Sequence, residues 1–242
     1  MTNFNKTSSF ASASSSSRIN EGLKSYMVFV YRNMSVALAI SGLVAFLFSL
    51  NQSLMAAIHG TPLGMIIMIA PIAIAFLFGF KIQSMTFESA RNIFLLFAAL
   101  MGASLSSVFL VYTGESIART FFITASMFLA LSIYGQTTNR DLTQLGSFMM
   151  MGLIGIIVAS IVNIFLKSSP LGFVISLLSV VVFVGLTMYD TQKIKNMYYA
   201  LENSSADSNT AKKVALMGSL SLYMDFINLF LALLRFFGDR RD

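Results

Sequence analysis

The sequence predicts an all-α, polytopic membrane bundle of seven segments, and three observations predict it. The first is composition. Of 242 residues, 56% are apolar and only 11% are charged, against about a quarter in soluble domains. A soluble domain of this length needs a charged coat, and sixteen Lys and Arg with ten Asp and Glu cannot supply it. The second is the length of the uncharged runs. Asp, Glu, Lys and Arg are all absent from 33–80, 92–114, 120–139, 142–166 and 168–189, and about 20 apolar residues suffice for a helix to cross the hydrocarbon. The third is periodicity. The runs are too long for membrane strands and lack their alternation.

Each element follows in order. Residues 1–26 are rich in Ser, Asn and Thr, with no apolar stretch ahead of a cleavage site, and read as a disordered, cytoplasmic tail. The run 33–80 holds two spans, roughly 30–50 and 62–81. Asn51-Gln52-Ser53 and His59-Gly60-Thr61-Pro62 form the turn between them. Further spans are expected over 91–112, 117–136, 145–167 and 171–190. Thr113-Gly114-Glu115 and Ser168-Ser169-Pro170 mark short connections, which make neighbouring helices antiparallel. A seventh segment, Val214–Phe237, is interrupted by Asp225. The membrane domain is thus expected over 27–238, with a charged end at 239–242. Ala98, Gly102 and Ser106 share one helical face, and Ala99, Ala103 and Ser107 the next. Such stripes are read as close helix packing.

Composition also excludes chemistry. With no Cys there is no disulfide, thiol nucleophile or Cys-based metal site. The single histidine, His59, rules out a multi-His centre and is read as a loop residue. The net charge of +6 does not indicate nucleic acid, because the basic residues stand singly between apolar runs. They act as topology signals. Lys6, Arg18, Lys24 and Arg32, then Lys81, Arg91, Arg140, Lys193, Lys195, Lys212 and Lys213, fall on one side, and Arg119 and Lys167 on the other. That bias puts the N-terminus inside. Arg235, Arg240 and Arg241 oppose it if the last segment crosses fully, so crossing and re-entry both remain open here. The lipid bilayer is the expected partner, a bacterial inner (cell) membrane the expected location, and no cofactor is implied.

Two acids stand inside apolar segments, Asp190 near the end of the sixth and Asp225 in the middle of the seventh. An acid near the bilayer centre costs at least about 2.5 kcal/mol, so each is a functional candidate. If the sixth helix runs to about Leu201 and the seventh starts near Lys212, both acids lie roughly 16–20 Å from the loop, at similar depth. Facing each other, two carboxylates in low dielectric would share one proton. The shared proton would hold the helices together; full ionisation would part them and attract a cation. Otherwise each acid is satisfied separately, Asp190 by Lys193 or Lys81 and Asp225 by a buried Ser or Tyr. Asn228, one turn after Asp225, is a supporting candidate.

The stretches Met188-Tyr189-Asp190-Thr191-Gln192-Lys193, Ser219-Leu220-Ser221-Leu222-Tyr223-Met224-Asp225-Phe226-Ile227-Asn228 and Leu233-Leu234-Arg235-Phe236-Phe237-Gly238 resemble the signature of the Bax inhibitor-1 family. The resemblance implies a bundle with a short last helix at its centre and six helices around it. It further implies a pH-sensitive calcium leak, with Asp190 and Asp225 as the pH-sensing pair and transient Ca²⁺ ligands. Some members latch the first acid with an arginine late in the second segment. Here Lys81 is the nearest cation, and Lys cannot make the planar bidentate pair of Arg.

Three functions compete on this reading. The first is a passive, proton-gated calcium (cation) leak, with Glu88, Glu115, Asp141 and Glu202 at its mouths or simply solvated in loops. The second is a non-conducting regulator that binds other membrane proteins. The third is an intramembrane aspartyl protease. Asp225 follows Ser221-Leu222-Tyr223-Met224 and not a Gly-x-Gly leader, and Pro62, Pro71 and Pro170 precede the wrong residues, so the expectation is that the chain is not an enzyme.

Overall fold

The structure, a computed structural model, describes residues 4–51, 53, 55–56, 61–204 and 207–241, with side chains described from Ile19 onward apart from Pro62 and Leu63. His59 and most of the first expected turn lie outside the described residues. Among the described residues seven long helices make up the fold: α1 (Phe4–Ser49), α2 (Pro62–Lys81), α3 (Phe87–Leu105), α4 (Gly114–Thr137), α5 (Thr143–Leu166), α6 (Ser169–Asn203) and α7 (Ser208–Phe237). Each is long and apolar enough to cross a membrane, α1 from Ile19 onward.

Local chemistry sets most boundaries. The Thr86, Thr113 and Ser168 hydroxyls accept from the amides of Ser89, Ser116 and Leu171 and so cap α3, α4 and α6. Glu88 and Glu115 follow two of those caps in the first helical turn, where a negative charge suits the helix dipole. α3 stops at Leu105, earlier than the hydropathy alone indicates. The Ser106 and Ser107 hydroxyls donate back to the carbonyls of Ala103 and Ser104, at 2.6 and 3.0 Å, and this competes with helix continuation. One further turn, Val108–Val111, completes the crossing. α5 ends at Leu166, and Lys167 after it takes a left-handed conformation with φ 50°.

α1 begins at Phe4, inside the segment read as a tail. No Pro or Gly occurs before Gly22 to break the helix. From Ile19 its face packs on the core through Ile19, Leu23, Tyr26 and Met27. α6 outruns its apolar stretch by three turns, because Thr191, Gln192, Ile194 and Tyr198 remain buried on one face after the other face turns polar. The last helix is central, as the resemblance implies, but it is not short. At 30 residues only α1 and α6 exceed it.

α7 packs against α1, α3, α4 and α6, whereas α2 rests mainly on α3, and α5 on α6. Burial follows: 61% of the α7 span is buried, against 17% for α2 and 6% for α5. The small-residue stripe does what was expected. Ala98, Gly102 and Ser106 are buried, and a Cβ at Gly102 would collide with the Ser41 backbone of α1. At that crossing the Ser41 hydroxyl donates to the Ala98 carbonyl at 2.7 Å and accepts from the Tyr223 hydroxyl at 2.7 Å. One side chain therefore joins α1, α3 and α7. Tyr223 is fully buried, edge-on to Phe97 at 5.4 Å.

α7 is a single unbroken helix, so re-entry is not what the fold shows. Its far end is fixed at the opposite pole from the 204–207 connection. There the Thr113 amide donates to the Asp239 carbonyl and the Arg241 amide to the Val111 carbonyl, both at 3.0 Å. Arg119 pairs with Asp239 at 2.7 Å.

Candidate functional site

α6 and α7 run antiparallel and share the most extensive helix contact in the bundle. That contact brings Asp190 and Asp225 to the wall of one cavity of about 630 Å³. On α7, Ser221, Asp225 and Asn228 recur at helical spacing, so one face carries all three polar groups into the cavity. The remaining lining is apolar and comes from Leu and Phe of the same two helices, with Met68, Pro71 and Ile72 of α2 and Met150 and Leu153 of α5 opposite.

The two acids differ in surroundings. Asp225 is only 5% exposed, and its Oδ2 is buried without a hydrogen-bond partner. An unpaired buried oxygen of this kind is costly unless it carries or shares a proton. Asp190 is half-buried, and the Ser221 hydroxyl faces its carboxyl. The two carboxyl groups lie within electrostatic range of each other, and Lys193 lies within range of both. Lys193 itself is exposed, with its ammonium 5.7 Å above the Tyr189 ring.

Lys81 does not join this group. It is an exposed residue at the end of α2, and the cation that acts on Asp190 is Lys193. Asn228 does face the cavity, and its amide donates to the Met224 carbonyl at 2.8 Å within α7. Sequence reasoning missed Ser221 as a partner of Asp190. The i, i+4 interval from Ser221 to Asp225 carried that signal. It also missed Gln192, which accepts from the Leu142 amide and donates to the Arg140 carbonyl, each at 2.8 Å. Together with the Lys195 ammonium on the Gln136 carbonyl, 2.8 Å, this pins the α4–α5 connection to α6 half a turn or more beyond Asp190. No periodicity reports such a contact, because its partners lie some fifty residues away.

Among the described residues no three His, Asp or Glu side chains gather as a metal cluster. The two carboxylates therefore provide a partial oxygen set. Ca²⁺ takes six to eight oxygens, so an ion here would need water, the Ser221 hydroxyl or the Asn228 amide oxygen in addition.

Residues 23–242 match the family described as "Inhibitor of apoptosis-promoting Bax1". Among similar proteins, RP147 of Rickettsia prowazekii is 47% identical over 236 residues, 98% of each chain. Inner membrane protein YbhL of Escherichia coli is 44% identical over 221 residues, 91% of this chain and 94% of YbhL. A membrane protein of Streptococcus pyogenes, SpyM3_0260, is 42% identical over 150 residues, 62% of this chain and 63% of its own.

Proposed function

The chain belongs to the Bax inhibitor-1 family of integral membrane proteins, and from that premise we propose that it is a pH-sensitive calcium (cation) leak gated by a proton between Asp190 and Asp225. One observation carries the reading: both carboxyl groups line one cavity between α6 and α7, and a buried Asp225 oxygen lacks a partner. In a low-dielectric site two adjacent negative charges repel strongly, so one proton between them stabilises the closed contact. Loss of that proton parts the carboxylates and leaves a net negative cavity that draws in a cation. Lys193 offsets part of that charge and sets how far the pair must deprotonate before the contact yields.

The moving wall in this scheme is α2 with α5. These are the least buried spans, and both line the cavity opposite the acids. Pro71 lies inside α2 and removes one backbone hydrogen bond at cavity level, a local weakness suited to bending. The chain sits in the cell (inner) membrane, as the name of its Escherichia coli relative says of that protein. The concentration of basic residues at the α1 start and in the connections on that side supports a cytoplasmic N-terminus, and with seven crossings a C-terminus opposite.

The test is Ca²⁺ release from loaded liposomes that contain the purified chain. Wild type releases Ca²⁺ at a rate that changes with pH. Asp190→Asn and Asp225→Asn each reduce the pH response by at least about tenfold, the scale of one charge pair removed. Wild type without flux above empty liposomes overturns the leak in favour of a non-conducting regulator. Cleavage of an added membrane substrate, lost in both variants, would point to the protease instead.

A further inference from the structure

At the opposite pole of the bundle lies a second cavity, of about 570 Å³, that the acids do not touch. We propose that it is a phosphate-binding site for the headgroup of an anionic phospholipid. Three cations reach it from three separate elements: Lys167 from the α5–α6 turn, Arg235 from the last turn of α7, and Arg240 from the C-terminal segment. Among the described residues no acidic side chain lines it. The nearby carboxylate, Asp239, is held by Arg119 at 2.7 Å.

The arrangement is fixed at each element. Arg235 donates one guanidinium N–H to the Ser176 hydroxyl at 3.2 Å. Arg240 is held through its backbone, which pairs with Tyr112. Lys167 closes α5 with its amide on the Asn163 carbonyl at 2.8 Å, and the Asn163 side-chain oxygen accepts from the Ser168 amide at 3.0 Å. Ser168 and Ser169 add hydroxyls to the lining, at the start of a 35-residue helix whose dipole favours an anion.

Two features favour a lipid over a free anion. The cations are exposed, so salt screens them and a dissolved phosphate gains little. A headgroup is already concentrated at this level of the membrane. The cavity also has an apolar side, where Phe173 packs edge-on to Phe236 at 5.3 Å. Ile164, Phe165 and Phe237 stand exposed beside it and would meet acyl chains. Arg pairs phosphate oxygens bidentately.

The experiment is native mass spectrometry of the full chain in neutral detergent, titrated separately with phosphatidylglycerol, phosphatidylcholine and inorganic phosphate. Phosphatidylglycerol adducts should persist at about a tenfold lower lipid concentration than phosphatidylcholine adducts. Arg240→Gln, alone and with Lys167→Gln, should abolish that preference, and Arg240→Lys should keep most of it. The thermal midpoint of each variant reports folding, which these exposed side chains leave intact. Equal retention of the two lipids, or an unchanged preference in the double variant, overturns the site. Inorganic phosphate that displaces phosphatidylglycerol at equal concentration overturns the lipid as its occupant.

Discussion

α5 and α7 are both membrane helices of ordinary length, yet they lie at opposite extremes of burial. α5 has a mean hydropathy of 2.4 and is 6% buried; α7 has 1.6 and is 61% buried. In water the more apolar helix would be the inner one. Here the order inverts, because lipid solvates Leu and Ile as well as a core does and rewards small and polar residues that meet across helices. The centre is therefore marked by what α7 carries: Ser219 donating to the Val30 carbonyl at 3.0 Å, Tyr223 on Ser41 at 2.7 Å, and Asp225 facing α6. α5 carries an apolar face to lipid, with Phe148, Met151, Ile154, Val158 and Ile161 all exposed.

Substitutions at glycines test this inversion most sharply. Gly102 on α3 touches the Ser41 backbone beneath the Tyr223 contact, whereas a Cβ at Gly155 on α5 meets nothing within 4 Å. Gly102→Val should force α1 from α3 and destabilise the fold by about 3 kcal/mol, as overpacking against backbone does. Gly155→Ala should leave stability within about 1 kcal/mol of wild type, on the gaining side. Reversible unfolding in mixed micelles with increasing SDS measures both. Comparable losses at the two positions would mean that α5 is packed against something other than lipid.

Tyr223→Phe is a smaller probe of the same centre. It keeps the ring edge-on to Phe97 and removes only the hydroxyl that donates to Ser41. The loss should be about 1 kcal/mol, the net value of one buried hydrogen bond, in the same unfolding assay. A neutral result would show that the packing of the ring alone holds α7 to α1 and α3.

These contrasts explain what could be read from the sequence. Charge-free runs show directly where lipid lies, so six spans and the interrupted seventh were legible, as were the two acids. The position of each helix within the bundle was not. Hydropathy finds α5 and α7 alike as spans without saying which is central, and the family resemblance supplied the central place of the last segment. The reach of α1 and α6 beyond the hydrocarbon is invisible to hydropathy for a related reason. Both helices leave the hydrocarbon and continue as amphipathic elements, with Tyr26 and Tyr198 in ring contact at 5.4 Å, where a search for apolar length reads only loop. Of the two cations offered for Asp190, Lys193 and Lys81, the helical continuation of α6 past residue 190 selects Lys193.

The same residue type in two solvents gives the finest comparison. Asp225 is enclosed in the bundle, while Asp141 stands exposed in the connection between α4 and α5. Its Oδ1 accepts from the Thr143 amide at 2.9 Å and the Thr143 hydroxyl at 2.6 Å. Those hydrogen bonds, the hydroxyl first, hold its carboxyl below the ordinary value of 3.8. A depressed folded value means that the turn contributes its stability above the unfolded value and loses it as pH falls through the folded one. Thr143→Val removes the hydroxyl donor and keeps the amide. It should move the Asp141 midpoint upward toward 3.8, read by carboxyl carbon NMR on Asp-labelled protein. Around neutral pH the variant should be slightly less stable than wild type, and the two should converge once acid has protonated the carboxyl in both. An unmoved midpoint would assign the depression to the backbone amide of the turn. Asp141 would then owe its state to local backbone geometry, as Asp225 owes its enclosure to the packing of four helices.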